Sequence, residues 1–265
     1  QQAHLVETAG RIVVFAPFVC VQDGALDDPA TWGGVAPPVS GDTNLWRSLD
    51  YTLTAGGAAW SAVRFHGDTL LLESGSELRP GAAGQTLQLN NLILDGGTIY
   101  NNRLSSMTLD LAGHWIQLDS GTLRAGINEA NRDMVVQNAS LTGPGTINIE
   151  AGNASGAEVR FESSVDMGGF TGVFNVQSNG LLNLPAVTHA SFGLDLSGSG
   201  RYANDADVVL RALVIDGTPF PSGVYSYSSF TAAQQAFLLD NGGSITVDAA
   251  VHPPGNIAFS VGGGS

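Results

Sequence analysis

Apolar positions in this chain alternate with polar ones or gather in short blocks, and the blocks are bounded by Gly, Asn, Asp and Ser. Thr69–Leu72, Leu87–Leu94, Thr108–Leu111, Trp115–Leu118, Thr146–Ile149, Val173–Val176 and Ile245–Val247 all have this form. A period of two with turn residues at both ends predicts strands of four to eight residues. One stretch departs from it: across Thr231–Leu239 alanines and glutamines follow Ser228 and Ser229, which predicts a short helix with one of those serines as its N-cap.

A longer period lies over the short one. Turn glycines stand at Gly75, Gly97, Gly121, Gly145 and Gly169, separated by 22, 24, 24 and 24 residues in a shared apolar-acid-x-Gly-Thr/Ser-x-apolar setting. The same step reaches Gly193 and Gly217 and approaches Gly243. One circuit of a parallel β-solenoid takes about 20–30 residues, each circuit stacking its strands on the last, and glycine suits corners that need positive φ or close backbone approach. The expectation is therefore an all-β parallel β-helix of about 24 residues per coil with one short helix near 231–239. The alternative is a β-sandwich or jelly roll, which gives strands at similar spacing and no fixed step. Residues 1–60 read as an N-terminal cap with opening strands, 61–250 as the coils, and 251–265 as a hinge, a strand and a Gly-rich tail.

Composition narrows the classes. With 43% hydrophobic and 13% charged residues the chain can bury a core and is not disordered. Cys20 is alone, so there is no disulfide framework. The longest apolar run, Ile12–Val21, is broken by Pro17 and falls short of the roughly 18–20 residues that span a bilayer. Ten basic side chains, all arginine, stand against 24 acidic ones, and a net charge of −14 repels phosphate, so nucleic acid is not an expected partner. Gln1 without a basic, apolar leader reads as the start of a processed chain, and abundant Thr, Ser, Asn and Gly on an acidic background point to a secreted, extracellular or cell-surface protein.

Two stretches resemble known families. Asp27-Asp28-Pro29-Ala30-Thr31-Trp32-Gly33-Gly34-Val35, followed by Pro37-Pro38 and Gly41-Asp42-Thr43, resembles the D-P-x-T-W-G-G-x-x-P opening of glycine-rich extracellular domains that begin β-helical surface proteins. Gly169-Phe170-Thr171-Gly172-Val173-Phe174-Asn175-Val176 with Gly180-Leu181-Leu182-Asn183-Leu184 is similar to autotransporter-associated β-strand repeats. The segment from Leu213 through Gly223-Val224-Tyr225 to Val247 resembles the closing unit of those arrays in exported bacterial proteins. The resemblance implies a right-handed β-helix at the cell surface and attaches no reaction to it.

Candidate chemistry is sparse. His4, His66, His114, His189 and His252 never fall at the i, i+4 spacing of a zinc helix, and no Gly-x-Ser-x-Gly elbow or P-loop is present. Cys20 lies in an apolar run and reads as a buried thiol. Asp27-Asp28 and Asp205-x-Asp207 are the densest acidic spots and the candidate Ca²⁺ loops, with a solvated loop as the other reading. No cofactor is expected, and the chain is read as not an enzyme. A polysaccharide lyase or hydrolase is the rival. The absence of lysine disfavours an anionic substrate, whereas Trp46, Trp60, Trp115, Tyr100, Tyr225 and Tyr227 could stack on a neutral glycan.

The tail points elsewhere. His252-Pro253-Pro254-Gly255 breaks regular structure, and Asn256, Ile257, Ala258, Phe259, Ser260 and Val261 form a β-prone strand before Gly262-Gly263-Gly264-Ser265. A strand held off its domain by a hinge suits addition to a neighbouring subunit, and a solenoid has open ends that invite stacking. The functional expectation is a structural or adhesive β-solenoid assembling into a homo-oligomer or filament by strand exchange or end-to-end stacking. The alternative is a glycan-active enzyme or glycan-binding module on the same fold.

Overall fold

A computed structural model describes residues 4–8 and 11–15 as backbone, and 18–56, 62–126, 132–152, 156–189 and 191–248. The main chain coils as a parallel β-solenoid. One face stacks Phe18–Val19, Leu45–Ser48, Thr69–Glu73 and the first half of Asn91–Tyr100. A second runs from Gly24–Ala25 through Thr52–Ala55, Glu77–Pro80 and the second half of Asn91–Tyr100 to Thr146–Ala151, Val173–Val176, Gly193–Leu196 and Ala212–Ile215. The third carries Ala62–Arg64, Thr86–Gln88, Val159–Phe161, Leu181–Asn183, Arg201–Asn204 and Leu238–Asp240. Met107–Ala125 contributes to all three faces. These ladders are parallel, as a coil requires and a hairpin-built sandwich does not.

The alternation seen in the sequence becomes the inside of the coil. Leu53, Leu78, Ile99, Leu123, Ile149, Val176, Leu196 and Ile215 stack in register on the second face, none more than 3% exposed. Full burial of each such side chain contributes about 1.5–3 kcal/mol, so the interior is held by repetition rather than by one central cluster. The step is 24 residues where Leu45 meets Thr69 and where Leu92 meets Ile116. It lengthens to 26 where Ser140 meets Asp166 and shortens to 20 where Val173 meets Gly193. Strand register depends only on which side chains point inward, so corners absorb the differences. In the glycine series Gly75 and Gly145 are corners between strands, whereas Gly97 and Gly121 lie within Asn91–Tyr100 and Met107–Ala125; at Gly145 a Cβ would overlap the Asp119 carbonyl oxygen of the previous turn. The next equivalent corner is Gly172, not Gly169, which lies inside Asp166–Phe170.

The D-P-A-T-W-G-G stretch forms the plug at the N-terminal end. Pro29–Trp32 is a single 3₁₀ turn, N-capped by the Asp28 carboxylate, which accepts from the Ala30 amide at 2.9 Å, and closed by Gly33 at φ 68°. Thr31 Oγ1 donates to the Ala25 carbonyl at 2.8 Å, and Trp32 Nε1 donates to the Leu26 carbonyl at 3.0 Å. These bonds seat the indole, 2% exposed, edge-on to Trp46 at 4.8 Å, while Trp46 stacks on Phe18 at 4.6 Å and meets Phe65 at 6.0 Å.

The C-terminal end closes differently. Ala212–Ile215 turns back through Asp216 and Gly217, both at positive φ, and Thr218–Pro219 pairs antiparallel with it. Gly223–Tyr225 pairs antiparallel with Ile245–Val247. Phe220, Tyr225 and Phe230 pack together with ring centroids 5.3–5.8 Å apart. The helix expected over 231–239 is only one turn, Ala232–Gln235, capped by Thr231 rather than by Ser228 or Ser229. The reason is competition: Tyr227–Ser229 is already a 3₁₀ turn, and Leu238–Asp240 is taken by the third ladder. This excursion widens the last coil to 36 residues between Tyr202 and Leu238. The N-terminal run is also interrupted: His4–Thr8 and Arg11–Phe15 form a separate antiparallel pair, while Phe18–Val19 begins the solenoid. Among the described residues no helix is long and apolar enough to cross a membrane.

Candidate functional site

The outward polar side chains sit at ladder positions, and register brings each within reach of its counterpart one turn away. On the second face Arg124 ion-pairs with Glu150 at 2.6 Å, Gln177 donates to Glu150 at 3.3 Å, and Asn175 donates to Asn148 at 2.9 Å. The Tyr100 ring lies between two guanidinium groups, 5.7 Å from Arg79 and 5.4 Å from Arg124, the cation–π range. Arg79 is itself paired with Glu77 in its own strand. On the first face Arg47 reaches Glu73. Asn101, fully buried, donates to the carbonyls of Ser105, Arg132 and Asp133 at 3.0–3.1 Å and ties two successive loops together.

The third face carries a charged cluster that the sequence reading passed over. Glu158, Arg160 and Glu162 flank and occupy the strand Val159–Phe161 at alternate positions, so a period of two puts all three on one side. Arg160 bridges Glu158 at 3.1 Å and Glu162 at 3.0 Å, and Asn183 donates to Glu158 at 3.2 Å from the next turn. Burial and the neighbouring Asp133 push the Glu158 carboxyl above its ordinary value against the bonds from Asn183 and Arg160. Asp119 and Asp195 are raised for the same first reason, burial. Asp110 goes the other way. Burial would raise it, but bonds from Asn138, the Ala112 amide and Gln137 overcome that and hold it below its ordinary value. The signal that marks the Glu158 cluster is Glu-Val-Arg-Phe-Glu, an acid-base-acid alternation within a strand.

The acidic loops have protein partners. Asp28 caps the 3₁₀ turn and Asp27 is exposed. Asp205 accepts from Asn183 at 2.8 Å and from Asn241, and Asp207 accepts the Ser244 amide at 2.9 Å and its hydroxyl at 2.8 Å. Those loops clasp the last coil to the one before it. Among the described residues no three His, Cys, Asp or Glu side chains converge as metal ligands. His66 is half-buried, while His114 and His189 are exposed. Cys20 is buried, donates to the Gln22 carbonyl at 3.1 Å, and burial pushes its thiol up, which disfavours the thiolate.

The aromatic candidates are dispersed. Trp46 is in the core, and Tyr225 is in the C-terminal cap with its hydroxyl on the Pro221 carbonyl. Trp115 packs on a small outer cluster of Leu45, Leu71 and Ile93, and Tyr227 belongs to a 3₁₀ turn. Among the described residues one surface depression of about 470 Å³ is lined in part by Asn138, Ser140, Ser164 and Asp166, and another of about 320 Å³ is lined in part by Asn179, Ser199, Arg201 and Phe237. None of the raised carboxylates lines either of them. Trp60, His252 and the proposed assembly strand Asn256, Ile257, Ala258, Phe259, Ser260, Val261 lie outside the described residues, as do the side chain of His4 and the hinge before that strand. Comparison of the chain with models of protein families, with curated proteins and with solved structures found no match.

Proposed function

We propose that this protein is an extracellular structural or adhesive component, a β-solenoid rod that joins like copies into an oligomer or filament. The observation that carries the reading is the use of its polar side chains. Arg47 and Glu73, Ser48 and Ser76, Arg124 and Glu150, Asn148 and Asn175, Asn183 and Glu158, and Asp207 and Ser244 connect one turn to the next instead of converging on a cleft. Charge-assisted bonds repeated along a coil stiffen it, because each turn gains from its neighbours. An acidic, lysine-free surface supports a place outside the cell. The glycan-binding reading of the same fold has less beneath it, since Trp46 and Tyr225, two of its stacking candidates, are engaged in the core and the cap.

The test is electron microscopy and sedimentation of the full chain. Elongated particles of variable length are expected, and Ile257→Asp combined with Phe259→Asp should reduce them to monomers with an unchanged circular-dichroism spectrum. Because Asp205 and Asp207 already have protein donors, a chelator should leave the particles intact. A monodisperse monomer in the unaltered protein discards the assembly reading.

A further inference from the structure

The corner between the second and third faces changes character in the last coils. Residues 177–180 and 197–200 turn it tightly, the Gly180 and Gly200 amides bonding the Gln177 and Ser197 carbonyls at 2.7 and 2.9 Å. The next pass is the long excursion, which rejoins the third face at Phe237, whose carbonyl accepts the Tyr202 amide at 2.9 Å. Between the returning chain and the two tight turns lies the depression of about 320 Å³, bounded by Asn179, Ser199, Arg201, Ala236 and Phe237.

Arg201 distinguishes this place. In Arg201–Asn204 the Tyr202 side chain is fully buried, so a period of two turns Arg201 outward, where it is half-buried. Register sets it between Leu181 of the turn before and Phe237 of the turn after. Arg47, Arg79, Arg124 and Arg160 pair with carboxylates, Arg103 and Arg211 donate to the Pro80 and Thr171 carbonyls, and Arg132 is partnered too. Arg201 has no acceptor among the described residues, and no carboxylate lines the depression. Arg64 also has none, but it is exposed and water serves it. A half-buried guanidinium without an acceptor has lost hydration and gained nothing for it, and a bound anion supplies the missing bonds.

We infer that this depression binds a sugar carboxylate of one or two rings, with the carboxylate on Arg201, hydroxyls on Ser199 and Asn179, and the ring against Phe237. The inference goes beyond the assembly reading and needs no second copy. Ser199 Oγ accepts the Asn179 backbone amide at 2.8 Å, which leaves the hydroxyl proton for an outside acceptor. Phe237 is half-buried and Ala236 exposed, so both offer apolar surface to a ring. The volume is at the small end of the roughly 300–1,000 Å³ usual for ligand pockets. A net charge of −14 opposes anions, but charges beyond about 8 Å are largely screened at physiological ionic strength, so the local cation decides. What remains of that field opposes a phosphate dianion more than a carboxylate, whose two oxygens match the guanidinium fork.

Saturation-transfer NMR on the full chain with excess galacturonate tests the site, because it reads ligand protons whether the protein is a monomer or a polymer. Transfer to the galacturonate ring is expected, with galactose bound about tenfold more weakly. Arg201→Ala should weaken galacturonate by a similar factor, Arg201→Lys should recover part of it, and Arg64→Ala should change nothing. Circular dichroism checks each fold, and Arg201→Gln replaces the alanine variant if that one unfolds. Absence of transfer, equal binding of galactose, or binding that survives loss of the Arg201 guanidinium overturns the inference. If inorganic phosphate at the galacturonate concentration abolishes the transfer, the site takes phosphate and the sugar assignment falls. None of these results bears on the assembly reading, which is decided by particle length.

Discussion

The two ends of the solenoid solve one problem by different means. A coil must stop, and stopping exposes both an apolar interior and a row of backbone groups. At the C-terminal end the chain deals with both: antiparallel strands close two edges, and Phe220, Tyr225 and Phe230 cover the interior. At the N-terminal end Trp32, Trp46, Phe18 and Phe65 plug the interior, and the turn that seats Trp32 also covers backbone, with Thr31 donating to the Ala25 carbonyl and accepting the Val21 amide on its own carbonyl. One end covers its backbone with antiparallel strands and the other with a single 3₁₀ turn, so the two caps do the same work with different local structure.

Removing the plugs probes the comparison most strongly. Trp32→Ala deletes a buried indole and leaves the Leu26 carbonyl without its donor, at a cost of about 4 kcal/mol, against about 3 kcal/mol for Phe230→Ala in the other cap. Urea unfolding measures both, and the double variant should be additive because the sites share no partner. Amide exchange separates the ends: Trp32→Ala should speed exchange at Cys20 and Leu26 and leave Val208 protected. Equal acceleration at both ends would show that the caps are not independent.

A corner in the middle provides the next contrast. Gly145→Ala places a methyl group against the Asp119 carbonyl between two turns and should cost about 2 kcal/mol. Gly198→Ala meets open space at φ 60° and should cost about 1 kcal/mol, from backbone conformation alone. A smaller loss at Gly145 than at Gly198 would mean that stacking distance does not govern the corners.

The smallest effects come from pH and concern the walls that join the two ends. The Asp110 carboxyl is held below its ordinary value, so its contribution is present above the unfolded pKa and is lost as pH falls through the folded one. Glu158 lies above its ordinary value, so the folded chain holds that proton longer and loses stability as pH rises through the folded pKa. Calorimetry should find Asp110→Asn less stable at neutral pH with a shallower loss in acid, and Glu158→Gln slightly more stable at neutral pH. Both groups are partly solvated, so screening keeps each effect under about 1 kcal/mol. Shifts of the opposite sign would remove burial as the cause at Glu158 and the bonds from Asn138, the Ala112 amide and Gln137 as the cause at Asp110.

Much of this wall was legible in one dimension. Val173–Val176 and Ile245–Val247 are strands with the bounds that alternation predicts. Thr108–Leu111 and Trp115–Leu118, expected as two strands, are one continuous strand that bends at Ala112 and Gly113, both at positive φ. Asp205 and Asp207 stand out in the sequence only as local acid density, which cannot show that Asn241 and Ser244 will arrive from the next coil. The Glu158 cluster was missed for a related reason: its alternation is visible, whereas Asn183, which completes it, is brought by register.

By itself the sequence determined the strand period, the corner glycines Gly75 and Gly145 and the turn that seats Trp32, because alternation, corner glycines and an Asp-Pro start act over a few residues. Only the tertiary structure decided which edges are closed, that Thr231 and not a serine begins the helical turn, and which acids are occupied. Those outcomes depend on which distant segment reaches a given edge first, and in a coil whose turns vary from 19 residues (Gly193 to Ala212) to 37 (Val208 to Ile245) that competition is settled by stacking rather than by local preference.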